Sequence, residues 1–248
     1  MGIRLLISCL SLLLAATPAA LSAASLPVVA VIDSGIGRTS ELEPLLVAEY
    51  DVGAPEARPA FQPRYDHGTM VATILARSLM RQVRIISIRI DDPDGCPRNA
   101  SPPCQQDPAR VAEAIRQASQ LRVDAINISL TLSDDPGIVA AIRDAARAGI
   151  TVTLAAGNEG RDHPSNIALA REAFPNAVLV GALDAAGNPW SGTNRPDADS
   201  SGYLYAWQLG VDVPTAMADG AAAVATGTSF ATPIETARLV RERLQRGL

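Results

Sequence analysis

Lysine is missing from this sequence: all 21 basic residues among its 248 are arginine. Without a lysine amine the chain cannot form a Schiff base, hold a nucleotide phosphate as P-loop and kinase lysines do, or run Ser-Lys catalysis. Histidine is nearly missing; His67 and His163 are the two, too few for a multi-histidine metal centre. Positive charge is in deficit, with 26 acidic residues, a net charge of -5 and arginines that are scattered. Phosphate affinity needs clustered cations, so nucleic acid is excluded as a partner. No apolar stretch after the first 24 residues is long enough to span a membrane. What is present is a hydrophobic fraction of 48%, ample for a folded core and too high for wholesale disorder.

The first residues read as an address. Arg4 precedes an apolar run from Leu5 to Ala16, and small residues follow to Ser22-Ala23-Ala24. That is the layout of a secretory signal peptide over residues 1–24, leaving one domain over 25–248 and a secreted or periplasmic product. Leu6-Ile7-Ser8-Cys9 has the outline of a lipidation box, but the apolar run continues past it. Cys9 is therefore expected to leave with the signal. Cys96 and Cys104 remain, and an even pair in an oxidising compartment reads as a disulfide. Closing so short a loop contributes about 2.5 kcal/mol by chain entropy.

Short apolar runs at Val28–Ile32, Val83–Ile90, Val123–Leu130, Ile150–Ala156 and Ala177–Leu183 predict buried strands. Helical spacing lies between them, at Thr69–Met80, Pro108–Leu121 and Pro136–Ala148, the last stopped by Gly149. A final helix is expected over Ser229–Arg246. Alternation of this kind implies a parallel α/β sheet. Residues 184 to 228 break the rhythm and read as loops and short strands.

Four motifs could carry chemistry. Val31-Ile32-Asp33-Ser34-Gly35 ends the first strand at the carboxyl edge, where parallel sheets place their sites. Asp33 could orient a histidine, open a dinucleotide-binding turn or belong to an aspartic protease. The turn lacks the last fingerprint glycine, since Ser40 stands there. The protease needs a second facing carboxylate motif, and the chain has none. Asp66-His67-Gly68-Thr69 stands before a helix, whose N-terminus favours the neutral imidazole a base requires. Gly227-Thr228-Ser229-Phe230-Ala231-Thr232-Pro233 opens the last helix, where Ser229 is either a cap or an exposed nucleophile. Ala155-Ala156-Gly157-Asn158-Glu159-Gly160 follows a strand, where Asn158 is either a turn residue or an oxyanion donor.

Together with Val123-Asp124-Ala125-Ile126-Asn127-Ile128-Ser129-Leu130 and Phe174-Pro175-Asn176-Ala177, these motifs stand in an order that resembles the subtilisin family of serine proteases. The likeness runs from about Val28 to Pro233. It implies a three-layer α/β sandwich with a mostly parallel central sheet, and a serine endopeptidase acting on protein or peptide substrates. By the same resemblance, Ser229 is the nucleophile, His67 the base and Asp33 the residue that orients it. Asn158 supplies the oxyanion hole. Ser129, Leu130 and Thr131 pair with extended substrate, and Ala155, Ala156 and Gly157 wall the pocket. A monomer that requires no cofactor is expected.

Departures from the family pattern also carry expectations. Only eight residues, Ser25 to Ile32, separate the expected signal from Asp33, leaving no room for a pro-segment. Thr131 stands where the family has glycine, and Ile234-Glu235 replaces the small residues usual after Pro233. The Cys96–Cys104 loop is an insertion expected to rim the cleft. Asp91-Asp92-Pro93-Asp94-Gly95 offers oxygen ligands of the kind calcium takes, and reads first as a solvated acidic turn. Asn99-Ala100-Ser101 matches a glycosylation sequon, and His163 reads as a surface loop residue. The alternative function is a catalytically weak, protease-like binding or chaperone-like protein.

Overall fold

The computed structural model describes residues 26–56, 58–97, 103–198 and 201–246. The signal expected over 1–24, Cys9 within it, and the Asn99-Ala100-Ser101 sequon lie outside the described residues. In chain order the elements are β1 (Val28–Asp33), β2 (Leu46–Asp51), α1 (His67–Ser78), β3 (Arg84–Arg89) and α2 (Pro108–Gln120). There follow β4 (Ala125–Ile128), α3 (Pro136–Arg147), β5 (Thr151–Ala155), α4 (Ile167–Glu172) and β6 (Ala177–Leu183). The chain continues through β7 (Leu204–Leu209), β8 (Val213–Ala216), β9 (Ala222–Ala225) and α5 (Thr228–Gln245).

Seven strands form one sheet in the order β2-β3-β1-β4-β5-β6-β7, every neighbouring pair parallel. Period-two alternation divides each central strand between two cores. In β1, Ala30 and Ile32 pack with Ile115 of α2 and Ile142 of α3. Val29 and Val31 face the other way, with Val71 of α1 and Val240 of α5. Both faces are covered by helices, which is why the strands read as continuous apolar runs. The expected three-layer arrangement is therefore present, and β8 and β9 add a separate antiparallel hairpin.

Local chemistry sets the helix ends. Asp107 and Asp135 each accept a hydrogen bond from the backbone two residues on, at 2.9 and 2.8 Å, and Pro108 and Pro136 follow them in the first turn. These are ordinary N-caps with proline where no N–H is needed. Gly149 ends α3 in the left-handed conformation, φ 78°. Cys96 and Cys104 are joined, their Cα atoms 5.2 Å apart.

Two expectations are refined by burial. Glu235 is buried in α5, yet Arg238 grips its carboxylate through Nε and Nη2, at 2.9 and 2.6 Å. Gln208 of β7 donates to it at 2.6 Å. The unusual glutamate thus ties α5 to the sheet edge. The acidic turn is not uniformly solvated: Asp91 is fully buried, and its carboxylate receives Arg89 Nε at 2.6 Å and Arg58 Nη1 at 3.0 Å. Arg58 also holds Asp51 through Nε and Nη2, at 2.7 and 2.9 Å. Buried carboxylates persist because they are paired. Only Asp92 and Asp94 are left to an open turn.

Candidate active site

Asp33 is the last residue of β1, Ser129 follows β4 and Asn158 follows β5, so three neighbouring strands deliver their ends to one edge. The helices α1 and α5 begin at that same edge, with His67 and Ser229 in their first turns. A parallel sheet concentrates such groups at its carboxyl edge because every strand points there.

His67 Nδ1 lies 2.9 Å from both carboxylate oxygens of Asp33. A carboxylate only accepts, so Nδ1 carries the proton and Nε2 keeps its lone pair. Asp33 is 1% exposed and also receives the Ser34 backbone N–H at 2.7 Å. Burial of the imidazole pulls its pKa down, but the charge of Asp33 and its hydrogen bond outweigh that and leave the pKa above the ordinary value of 6.5. Phe230 packs beside the ring, with centroids 5.6 Å apart.

The residue after His67 has to be glycine for a steric reason. A Cβ on Gly68 would lie 2.3 Å from the carbonyl oxygen of Gly35 and 3.1 Å from Asp33 Cβ. The helix start and the end of β1 thus meet backbone to backbone. Gly37 N–H donates to Thr69 Oγ1 at 2.8 Å, which fastens the same contact.

Asn158 accepts at Oδ1 from the Thr228 backbone N–H, at 2.8 Å, and from the Thr228 hydroxyl, at 2.9 Å. A backbone N–H can only donate, so the amide orientation is fixed and Nδ2 is a donor with no partner among the described residues. Thr228 Oγ1 also accepts from Gly157 N–H at 3.2 Å. Gly227, with φ 149°, turns the chain into α5 beside this amide; that backbone region is essentially reserved for glycine.

Ser229 Oγ donates to the backbone carbonyl of Ser129 at 2.7 Å. Pro233, inside α5, lacks the N–H that would otherwise bond the Ser229 carbonyl. Ser229 and His67 line one cavity of about 280 Å3, with Ser129, Leu130, Thr131, Ala155, Gly157 and Asn158. Ala156 is fully buried and does not line it. Thr131 is exposed and also borders a second cavity that contains Arg161 and His163. His163 is exposed, as expected of a loop residue, with Nδ1 3.9 Å from Asp197.

One contributor was expected in outline and two others were not legible in the sequence. Pro103, beside Cys104, lines the cavity, so the disulfide loop does reach the cleft. Asn166 donates to the carbonyls of Leu130 and Ala155, at 2.8 and 2.9 Å, and accepts from Leu132 N–H at 2.8 Å. It joins the two walls of the cleft from within a segment that carries no motif. Ser34, next to Asp33, accepts from Gly68 N–H at 3.3 Å.

Residues 25–240 match the family model described as the subtilase family, peptidase S8. A subtilisin-like protease 2 from Pseudogymnoascus destructans is 31% identical over 224 residues, 86% of this chain and 50% of that protein. Subtilisin amylosacchariticus from Bacillus subtilis subsp. amylosacchariticus is 28% identical over 215 residues, 83% of this chain and 52% of that protein. The chain spans about two fifths to one half of the length of the curated relatives it matches. Among solved structures, a cold-adapted subtilisin-like serine proteinase superposes with a TM-score of 0.68 at 22% identity, covering 87% of this chain and 75% of that one.

Proposed function

We propose that this chain, which belongs to the subtilase family, is a serine endopeptidase that hydrolyses protein or peptide substrates through Asp33, His67 and Ser229. The observation that carries the reading is the geometry at His67, whose Nδ1 is held by Asp33 at 2.9 Å while Nε2 is left as an acceptor beside the cleft. Ser229 Oγ leaves the Ser129 carbonyl, transfers its proton to His67 Nε2 and attacks the substrate carbonyl carbon. The oxygen of that carbonyl takes the negative charge and is met by Asn158 Nδ2 and the Ser229 backbone N–H. The imidazolium then gives its proton to the leaving amine, and an acyl-enzyme remains. Water, deprotonated by His67, releases the acid and restores Ser229.

Asp33 stabilises the imidazolium and holds the tautomer without itself being protonated. An oxyanion donor such as Asn158 contributes roughly 3–4 kcal/mol to the transition state. Extended substrate lies along Ser129-Leu130-Thr131, where the Ser129 carbonyl becomes free to accept a substrate N–H once Ser229 has turned away. Ala155 and Gly157 face it across the cleft. Residues 1–24 act as the signal and 25–248 as the catalytic domain, secreted or periplasmic, a location that suits the Cys96–Cys104 bridge.

An active-site fluorophosphonate probe tests this. The wild type is expected to be labelled and to cleave unfolded protein, and both activities should vanish in Ser229→Ala. A folded wild type that is neither labelled nor able to cleave, but binds one partner saturably, would show a protease-like binding protein instead.

A further inference from the structure

The oxyanion donor stands on a turn that does not hold itself. Besides Thr228, which meets Gly157 and Asn158, the segment Gly157 to Arg161 is fastened to a distant loop, Gly192 to Arg195, between β6 and β7. Asn194 is the centre of that attachment. It is 1% exposed, and its side chain makes four hydrogen bonds. Oδ1 accepts from the backbone N–H groups of Glu159, at 3.1 Å, and Arg161, at 3.0 Å. Nδ2 donates to Glu159 Oε2 at 2.6 Å and to Ser165 Oγ at 3.2 Å. A primary amide has two donor hydrogens and two acceptor lone pairs, so its capacity is filled.

The backbone repeats the attachment. Asn194 N–H donates to the Gly157 carbonyl at 2.9 Å, Gly160 N–H to the Gly192 carbonyl at 2.8 Å and Arg195 N–H to the Arg161 carbonyl at 2.7 Å. Tyr205 donates its hydroxyl to the Asn194 carbonyl, which ties the loop to β7. A Cβ on Gly157 would lie 2.3 Å from Asn194 Nδ2, so the two segments are in close contact. Asn158 lies between Gly157 and Glu159, both of which touch Asn194.

From this we infer that Asn194 is the positioning residue of the oxyanion hole: it fixes the turn that aims Asn158 Nδ2 and holds the Glu159 carboxylate at the cleft rim. The inference rests on the protease reading given above. No other natural side chain of this size supplies both a double acceptor and a double donor. Aspartate keeps the shape but loses both donors and turns a carboxylate toward Glu159. Serine and alanine lack the amide oxygen that receives the Glu159 and Arg161 N–H groups. The donor is worth most when it is already aimed at the developing charge, and a misplacement of about 1 Å costs on the order of a hundredfold in rate.

A double-mutant cycle decides the matter, run with a peptide substrate on wild type, Asn194→Asp, Asn194→Ser, Asn158→Ala and the combinations. The singles at Asn194 are expected to lower kcat by about tenfold to a hundredfold with KM changed less than threefold. In the Asn158→Ala background the same changes should lower kcat by less than threefold, because no aimed donor is left to lose. Equal losses in both backgrounds, or a loss mainly in KM, would overturn the positioning role and leave Asn194 a structural residue. Should both Asn194 variants fail to fold, as judged by circular dichroism, Asn194→Gln replaces them and the same comparison applies. A wild type without turnover or probe labelling would refute the protease reading itself, an outcome the cycle keeps separate because it is seen before any variant is made.

Discussion

Gly68→Ala adds one methyl group, which would come within 3.2 Å of Asp33 Oδ1, and it should nearly abolish turnover. The new Cβ would stand 2.3 Å from the Gly35 carbonyl oxygen and 3.1 Å from Asp33 Cβ. Neither neighbour can rotate away, since the first is backbone and the second is attached to the end of β1. Relief requires a backbone shift approaching 1 Å, either of the first turn of α1 or of the turn after Asp33. Overpacking of this kind costs about 1–3 kcal/mol of stability, so the variant is expected to fold. Either shift separates His67 Nδ1 from the carboxylate it now meets at 2.9 Å. A displacement of that size costs about a hundredfold in rate. Measured on a fluorogenic peptide, kcat should fall about a hundredfold or more while the unfolding midpoint in urea moves only modestly. Activity within threefold of wild type would refute the claim that this backbone contact sets the Asp33–His67 geometry.

Protonation gives a second outcome. The neutral imidazole is the working form, so kcat/KM should fall as pH drops through a value above 6.5. In Ser229→Ala, NMR should show the His67 ring titrating above 6.5, and Asp33→Asn should move it below, since burial then acts unopposed. The same pairing stabilises the fold below the unfolded value and is lost as pH rises through the folded one. Thr228→Val removes the hydroxyl that fixes Asn158 and leaves the Gly157 N–H without its partner. A loss of about 2–3 kcal/mol by urea denaturation and a tenfold fall in kcat are expected; unchanged kcat would show that the Thr228 N–H alone holds the amide. Arg58→Met takes the guanidinium from Asp51, which keeps only backbone donors, whereas Asp91 keeps Arg89. That should cost about 1–3 kcal/mol, and more above the ordinary carboxylate value of 3.8 than below it. Pairing with Arg58 outweighs burial and lowers the Asp51 pKa, so this contribution fades as acid protonates the carboxylate.

The central strands were legible because each buries both faces, which leaves an unbroken apolar run. The edge strands β2 and β7 were not, for they are only partly buried and carry residues such as Glu49, Asp51 and Gln208. The short helix α4 begins at Asn166, in the left-handed conformation and with no side-chain cap bond to announce it. At the site, residue types and chain order placed Asp33, His67, Asn158 and Ser229 on one edge. Their supports were illegible because they come from far along the chain. Asn158 is fixed by Thr228, 70 residues away, and its turn is held by Asn194, 35 residues from Glu159. Asp91 misled for a related reason, since its acidic neighbours suggest water whereas its partners Arg58 and Arg89 exclude it.

The helix α5 bears Ser229 at one end and runs 18 residues to Gln245, about 27 Å at the usual rise per residue. It packs along β4 to β7, and Arg243 near its end reaches the Gly149 carbonyl just before β5, so its last turn emerges on the side away from the cleft, where Gln245 is exposed. That gives the molecule a handle. A thiol introduced at Gln245 could anchor it to a bead, an electrode or a dye with the cleft facing outward and unobstructed. Because the chain has no lysine, a thiol-directed reagent such as a maleimide meets no side-chain amine that would compete with the graft.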